Sequence, residues 1–213
     1  PVIRGLGFNR IAVSENGIKQ EGQQWGSDHG LEIDAFNIDE VRVRKGPASL
    51  LFGSDAMGGV IEVLPPVTPI LNGLAGEAVL LGKTVNGTLG GSLMLGWKRG
   101  AWYVKGRYSE QRYGDYRVPT DTVVYLTQKM PVYGRRLKNT AGVERNASLF
   151  SAYARGHYRM NVALSNAYQK MGFFAGAHGV PDLARVQDDG DSRNIDLPFS
   201  RVNHLKLTTH QEL

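Results

Sequence analysis

The chain has no cysteine among its 213 residues. That excludes a disulfide scaffold, a Cys-ligated zinc site, an iron–sulfur centre and a thiol enzyme. It has no apolar run near the roughly 20 residues of a membrane helix. The start, Pro1-Val2-Ile3-Arg4-Gly5, has no Met and lacks the basic and apolar regions of a secretory signal. The end, Thr208-Thr209-His210-Gln211-Glu212-Leu213, stops inside an alternating pattern. Both ends read as cuts from a longer polypeptide. Surplus charge is small: 25 Lys and Arg stand against 20 Asp and Glu, a net +5. The basic residues are spread along the chain, whereas a nucleic-acid binder gathers them on one face or helix. No nucleic-acid partner is expected.

Glycine is what the chain has in excess. There are 27, nearly twice the average share of roughly 7%. With 41% hydrophobic residues, this is neither a disordered nor a collagen-like composition. The glycines and the apolar residues divide the chain into two textures. Residues 1–66 are turn-rich, with short β-like runs at Arg10-Ile11-Ala12-Val13, Val41-Arg42-Val43-Arg44 and Gly59-Val60-Ile61-Glu62-Val63. Pro65-Pro66 ends the third run, because proline cannot donate to a ladder. Pro47 suits a first helical position, so a turn or two of helix is expected before Gly53. Gly58-Gly59 supplies a sharp turn into the third strand.

From about residue 73 the pattern has period two. Trp102, Val104 and Tyr108 alternate with Tyr103, Lys105, Arg107 and Ser109. Tyr158, Met160, Val162 and Leu164 alternate with Arg159, Asn161 and Ser165, and Leu205 and Leu207 with His204, Lys206 and Thr208. One apolar and one polar face at this period means strands, not helices. Six strands are expected, near 73–83, 88–98, 101–112, 138–154, 158–171 and 201–213. Asn86-Gly87, Arg99-Gly100 and 155–158 mark tight connections. The connections near 113–137 and 173–200 are long, the first irregular and the second acid-rich. Long amphipathic strands with short turns at one end and long loops at the other are the mark of an outer-membrane barrel. A soluble sandwich with one wet face per sheet is the alternative on pattern alone.

The stretch from Ile38 to Ile61 closely resembles the end of the plug domain of TonB-dependent outer-membrane receptors. It runs Gly46-Pro47-Ala48-Ser49-Leu50-Leu51-Phe52-Gly53, then Ala56-Met57-Gly58-Gly59-Val60-Ile61. The resemblance implies a mainly β chain. Residues 1–66 would be the C-terminal half of a small mixed α+β plug. Residues 67–213 would be the first, antiparallel strands of a large transmembrane barrel. A plugged barrel has about 22 strands, so six cannot close one. The resemblance further implies a bacterial outer-membrane location, and active uptake of a scarce nutrient. Energy would come from a TonB-type inner-membrane complex through a segment not contained here. Catalysis is not expected, and no nucleophile motif such as G-x-S-x-G occurs. A soluble β-rich binding or adhesion module is the rival of another class.

Ser54-Asp55-Ala56-Met57-Gly58-Gly59 resembles the metal-chelate, haem and cobalamin branch rather than the glycan importers. Asp28-His29-Gly30-Leu31-Glu32-Ile33-Asp34 sets oxygen and nitrogen ligands within seven residues, beside Trp25. Imidazole with carboxylates suits zinc and related metals. The blander reading is a polar loop whose acids cap turns. Zinc-uptake members of the family carry an Asp-His pair followed by Ile-Asp-Pro. Here Asp28-His29 and Ile33-Asp34 match, with Ala35 where proline is usual. The resemblance thus implies a transported metal, zinc foremost, or a metal chelate, with haem or a siderophore as the alternative. No resident cofactor is expected. The expected metal ligands are Asp28, His29 and, from the second long loop, His178. Trp25, Glu32, Asp34 and Asp182 are expected ligand contacts. Lys105, Arg107 and Arg159 should face the lumen, against the plug, water or an anionic chelate. Trp102, Tyr108, Tyr158 and Tyr168 suit aromatic girdles at the membrane interfaces.

Overall fold

A computed structural model describes residues 2–3, 5–7, 10–20 and 32–213. Its N-terminal part begins with a minimal antiparallel pair, β1 (Val2–Ile3) and β2 (Leu6–Gly7). A four-stranded sheet follows, built from β3 (Ile11–Glu15), β4 (Ile18–Gln20), β5 (Val41–Arg44) and β6 (Gly59–Val63), in the order β4-β3-β6-β5. β3 and β6 run parallel; the outer pairings are antiparallel. The two central strands are the apolar ones, and Ile11, Val13 and Val60 are fully buried there. Ala12, Ala56 and Val60 pack together under Phe52. Each buried valine or isoleucine contributes roughly 1.5–3 kcal/mol. The expected helical turn is a 3-10 segment, Gly46–Phe52, followed by a second at Ser54–Ala56.

Gly59 is required where β6 begins. Its φ is +137°, and a Cβ there would lie 2.7 Å from the carbonyl oxygen of Arg44. Only glycine tolerates that conformation and that approach. β6 ends at Val63, just before Pro65-Pro66.

The second part is one six-stranded antiparallel sheet. Its strands are β7 (Gly73–Lys83), β8 (Thr88–Arg99), β9 (Trp102–Tyr113), β14 (Gly142–Arg155), β15 (Tyr158–Gly172) and β16 (Phe199–Glu212). They pair in chain order. The expected strands are found within one or two residues, with one exception. The fourth begins at Gly142 rather than 138, because Lys138–Ala141 are held by loop contacts. The connections near 84–87, 114–141 and 173–198 share one end of the strands, and the two-residue turns at 100–101 and 156–157 share the other. Backbone bonds confirm the clustering: Gly114 N–H donates to Asn86 O (2.8 Å), Asp115 N–H to Ser192 O (2.7 Å) and Arg117 N–H to Val85 O (3.0 Å).

The first long connection is more ordered than its composition indicates. It holds β10 (Tyr116–Arg117) paired with β13 (Arg136–Leu137), and a hairpin of β11 (Thr122–Tyr125) and β12 (Gln128–Pro131). Val132 joins Phe174, Ala175 and Val186 of the second long connection in a small core. Val118, Val123 and Leu137 pack against it. The sequence shows no period here because the core draws single residues from two loops rather than a face from one element.

The large sheet is apolar on the outside. Leu95 is 74% exposed and Leu205 70%, whereas inward-facing Lys105 and Arg107 are 4% and 6% exposed. Cross-strand rows make this plain. Leu95, Gly106, Leu149, Leu164 and Leu207 are successive neighbours in one outward row. The described residues contain no helix long and apolar enough to cross a membrane. This wall of strands, polar inside and apolar outside, is the arrangement lipid demands.

Candidate functional site

The inner face of the wall receives the N-terminal sheet through ion pairs. Lys105 Nζ on β9 lies 2.7 and 2.9 Å from the two carboxylate oxygens of Asp39. Lys206 on β16 pairs with Glu15 at the end of β3, and also donates to Glu32 O (2.7 Å). His204 Nδ1 meets the carboxylate of Glu32. Arg107 is held within the wall by Ser92 Oγ and Glu77 Oε1, each at 2.7 Å. Of the readings open for Lys105, contact with the N-terminal domain is the one observed.

Asp34 accepts from Phe36 N–H (3.0 Å) and so caps the 3-10 turn Ala35–Asn37. It is buried near Ser109, Arg107 and Glu144 of the wall. Burial pushes its carboxyl above the ordinary range. The Phe36 N–H, the Ser109 hydroxyl and the Arg107 charge pull it back, and Glu144 raises it further. Glu144 itself accepts from Gln111 (2.6 Å) and Gln169 (3.1 Å). Trp25, Asp28 and His29 lie outside the described residues, so the geometry here covers Glu32 and Asp34 of that segment.

At the loop end, His178 stacks on Phe173 with ring centroids 4.6 Å apart and planes 8° from parallel. Asp182 caps the turn Leu183–Arg185 and pairs with Arg185 at 2.9 Å. His178 and Asp182 line one cleft of about 260 Å³ with Val180, Arg185 and Leu197. The neighbouring acids make local turns: Asp188 accepts from Gly190 N–H, Asp189 from Asp191 N–H, and Asp191 from Arg193 N–H. Among the described residues no three His, Cys, Asp or Glu side chains converge as a metal site. Sequence reasoning placed His178 and Asp182 in one loop, and the structure brings them to one cleft.

Sequence reasoning missed Asn139. Its amide NH2 faces the carbonyls of Phe173 (3.0 Å), Asp196 (3.0 Å) and Pro198 (2.9 Å), and its Oδ1 accepts from Asp196 N–H (2.7 Å). Its φ is +65°, a conformation that asparagine tolerates better than most residues. Beside it, Lys138 Nζ pairs with Asp189 at 2.5 Å. That ammonium, with the N–H of Asp191, holds Asp189 down at about 2. Asp115 goes the other way. Burial pushes its carboxyl up, while the N–H groups of Thr140 and Ala141 and the Lys138 charge oppose the rise. A lone Asn in a polar loop gives no signal, since its partners lie 34 to 59 residues away.

A small mixed sheet against the inner face of an outward-apolar antiparallel wall is consistent with a plug and barrel strands. Comparison with known proteins agrees. The family described as the TonB-dependent receptor plug domain matches residues 1–60. The chain is 37% identical over 62 residues to a vitamin B12 transporter of Vibrio vulnificus, covering 29% of this chain and 10% of that protein. It is 35% identical over 69 residues to an iron-regulated outer membrane virulence protein of Vibrio cholerae, covering 29% of this chain and 11% of that protein. The matched stretch thus spans about a tenth of the length of these relatives. Residues 1–60 thus carry a likeness to the plug of TonB-dependent receptors, and with it a Gram-negative outer-membrane location.

Proposed function

We propose that the whole protein takes up a metal ion or metal chelate by TonB-coupled transport. Residues 1–66 would form the second half of its plug, and 67–213 the first strands of its barrel. The plug match at residues 1–60 carries this reading. The ion pairs from Glu15, Glu32 and Asp39 to the wall support a plug seated in a lumen. Two relatives named for vitamin B12 transport and iron regulation support a scarce, metal-linked cargo. Release is a shift in plug conformation biased by the energised partner, with no bond made or broken.

The narrower form is zinc, taken through Asp28 and His29 with His178 from the outer loops. Neutral imidazole and carboxylate are good first-row metal ligands. Trp25, Glu32, Asp34 and Asp182 would flank the cargo. The test is zinc uptake by cells expressing the full receptor with Asp28→Ala or His29→Ala. Zinc-limited growth and zinc binding should both fall. If both match wild type, the zinc form fails, and haem or a siderophore becomes the cargo to assay. Loss of TonB abolishing uptake of every cargo tests the broader form.

A further inference from the structure

Asparagine followed by glycine is the pair most prone to close on itself, because glycine has no side chain to shield its backbone nitrogen. The chain holds three such pairs, Asn16-Gly17, Asn72-Gly73 and Asn86-Gly87. The structure gives them three different surroundings.

Asn86 is 4% exposed. Its Oδ1 takes the Thr88 hydroxyl (2.6 Å), its backbone carbonyl takes Gly114 N–H (2.8 Å), and the Gly87 carbonyl takes Arg193 Nη2 (2.7 Å). That turn is clamped from three sides. Asn72 is exposed, but its Oδ1 accepts from Gly100 N–H (2.9 Å), and Gly73 is paired with Lys98 in the large sheet. Asn16 has neither restraint. Among the described residues its side chain makes no hydrogen bond, and a Cβ on the exposed Gly17 would meet nothing within 4 Å.

Asn16 and Gly17 have φ of +53° and +81°, the left-handed pair of a two-residue hairpin turn. Ring closure needs the turn to leave this conformation, and β4 makes that easy. It is three residues long, lies at the edge of its sheet and is held by three pairings to β3. Lys19 also pairs with Asp55, at the surface, where an ion pair contributes little. Short edge elements open at far lower free energy than the fold as a whole.

We propose that Asn16 is a site of spontaneous deamidation, and that the isoaspartate formed there loosens the β3–β4 hairpin at its seam with the wall. The Gly17 backbone nitrogen attacks Cγ of Asn16. The N–Cγ bond forms, and the side-chain NH2 leaves as ammonia with the proton given up by Gly17. Water then opens the five-membered imide at either carbonyl, leaving aspartate or isoaspartate. Isoaspartate adds a methylene to the main chain, which the Glu15–Ile18 pairing and the bond from Asn16 N–H to Val63 O (3.0 Å) cannot both accommodate. The new carboxylate also stands next to Glu15, the partner of Lys206 on the wall, in a cleft of about 220 Å³ that Glu62 and His210 share.

The experiment ages the full wild-type receptor in detergent at mildly alkaline pH, which helps Gly17 give up its proton. Peptide mass mapping follows the amide-to-acid change, and isoaspartyl methyltransferase labels the isoaspartate. The three pairs are compared within one chain, so no variant is needed for the main result. The Asn16 peptide should convert about tenfold faster than the Asn86 peptide, with Asn72 between them. Arg193→Gln removes one clamp and should speed Asn86 while leaving Asn16 unchanged. Hydrogen exchange across 11–20 should rise in aged wild type and stay at its starting level in aged Asn16→Gln, whose longer side chain closes a ring far more slowly. An Asn16 peptide that stays intact, or that reacts no faster than Asn86, overturns the proposed site. Unchanged exchange in fully converted receptor overturns the proposed loosening.

Discussion

Lys105 and Asp39 join the wall to the N-terminal sheet across 66 residues of sequence, and their exposures differ: 4% for the lysine side chain and 31% for the aspartate. The ammonium is the member that water cannot reach. The pair is therefore asymmetric in what each partner loses when the other is removed.

That asymmetry gives an ordered expectation. Asp39→Ala strands a buried ammonium and should cost about 2–4 kcal/mol, below the fully buried limit because the acid is partly hydrated. Lys105→Met leaves a carboxylate able to hydrate and a buried stem still packed, and should cost about 1 kcal/mol. Denaturant titration of plug release, with a cysteine label introduced into the N-terminal sheet, should rank the two. Equal losses would show that the pair is solvated in the membrane-embedded receptor.

Asn139 should control the order of the second long loop. Asn139→Ala removes the amide that three carbonyls share and the oxygen that accepts from Asp196 N–H, and places a Cβ-bearing residue without a polar side chain at positive φ. A loss of roughly 2–4 kcal/mol of local stability is expected. Asn139→Gly relieves the backbone part alone and should recover a minor share. Hydrogen exchange across 173–198 is the readout, and protection equal to wild type in Asn139→Ala would refute the tie.

The two loop aspartates should respond to acid in opposite senses. Asp189 is held down at about 2, so its contribution is present above its unfolded value near 3.8 and is lost as pH falls toward 2. Because the Asp189 carboxylate is exposed to water, that contribution is at most about 1 kcal/mol. Asp115 is raised by burial, so its ionised form opposes folding above its raised value, and protonation relieves this. Asp115→Asn should therefore leave loop stability at neutral pH unchanged or higher, since a carbonyl oxygen still accepts from Thr140 and Ala141. Asp115→Ala should lower it. Carboxyl NMR titrations of Asp189 with and without Lys138→Met give the companion measurement: the Asp189 pKa should rise when the ammonium is removed.

Much of the architecture was legible in the chain itself. Period-two patterning between Gly73 and Glu212 set the strands and their two faces, because a pleated strand in a one-sided environment must alternate. Glycine and the paired prolines set the turns and the end of β6, because φ and N–H availability are properties of single residues. The stretch from Gly46 to Ile61 marked the family for the same local reason: a tight turn and close backbone approach restrict each position independently. Within one segment the sequence could bring expected ligands together, as with His178 and Asp182, which line one cleft. The tertiary structure alone decided which charges meet. Asp39 with Lys105, Glu15 with Lys206 and Glu32 with His204 depend on where two sheets come to rest. The loop core of Val132, Phe174 and Val186 and the tie at Asn139 depend on inter-strand register and loop docking. None of these follows from local propensity, since each joins residues too distant in sequence for a common period to connect them.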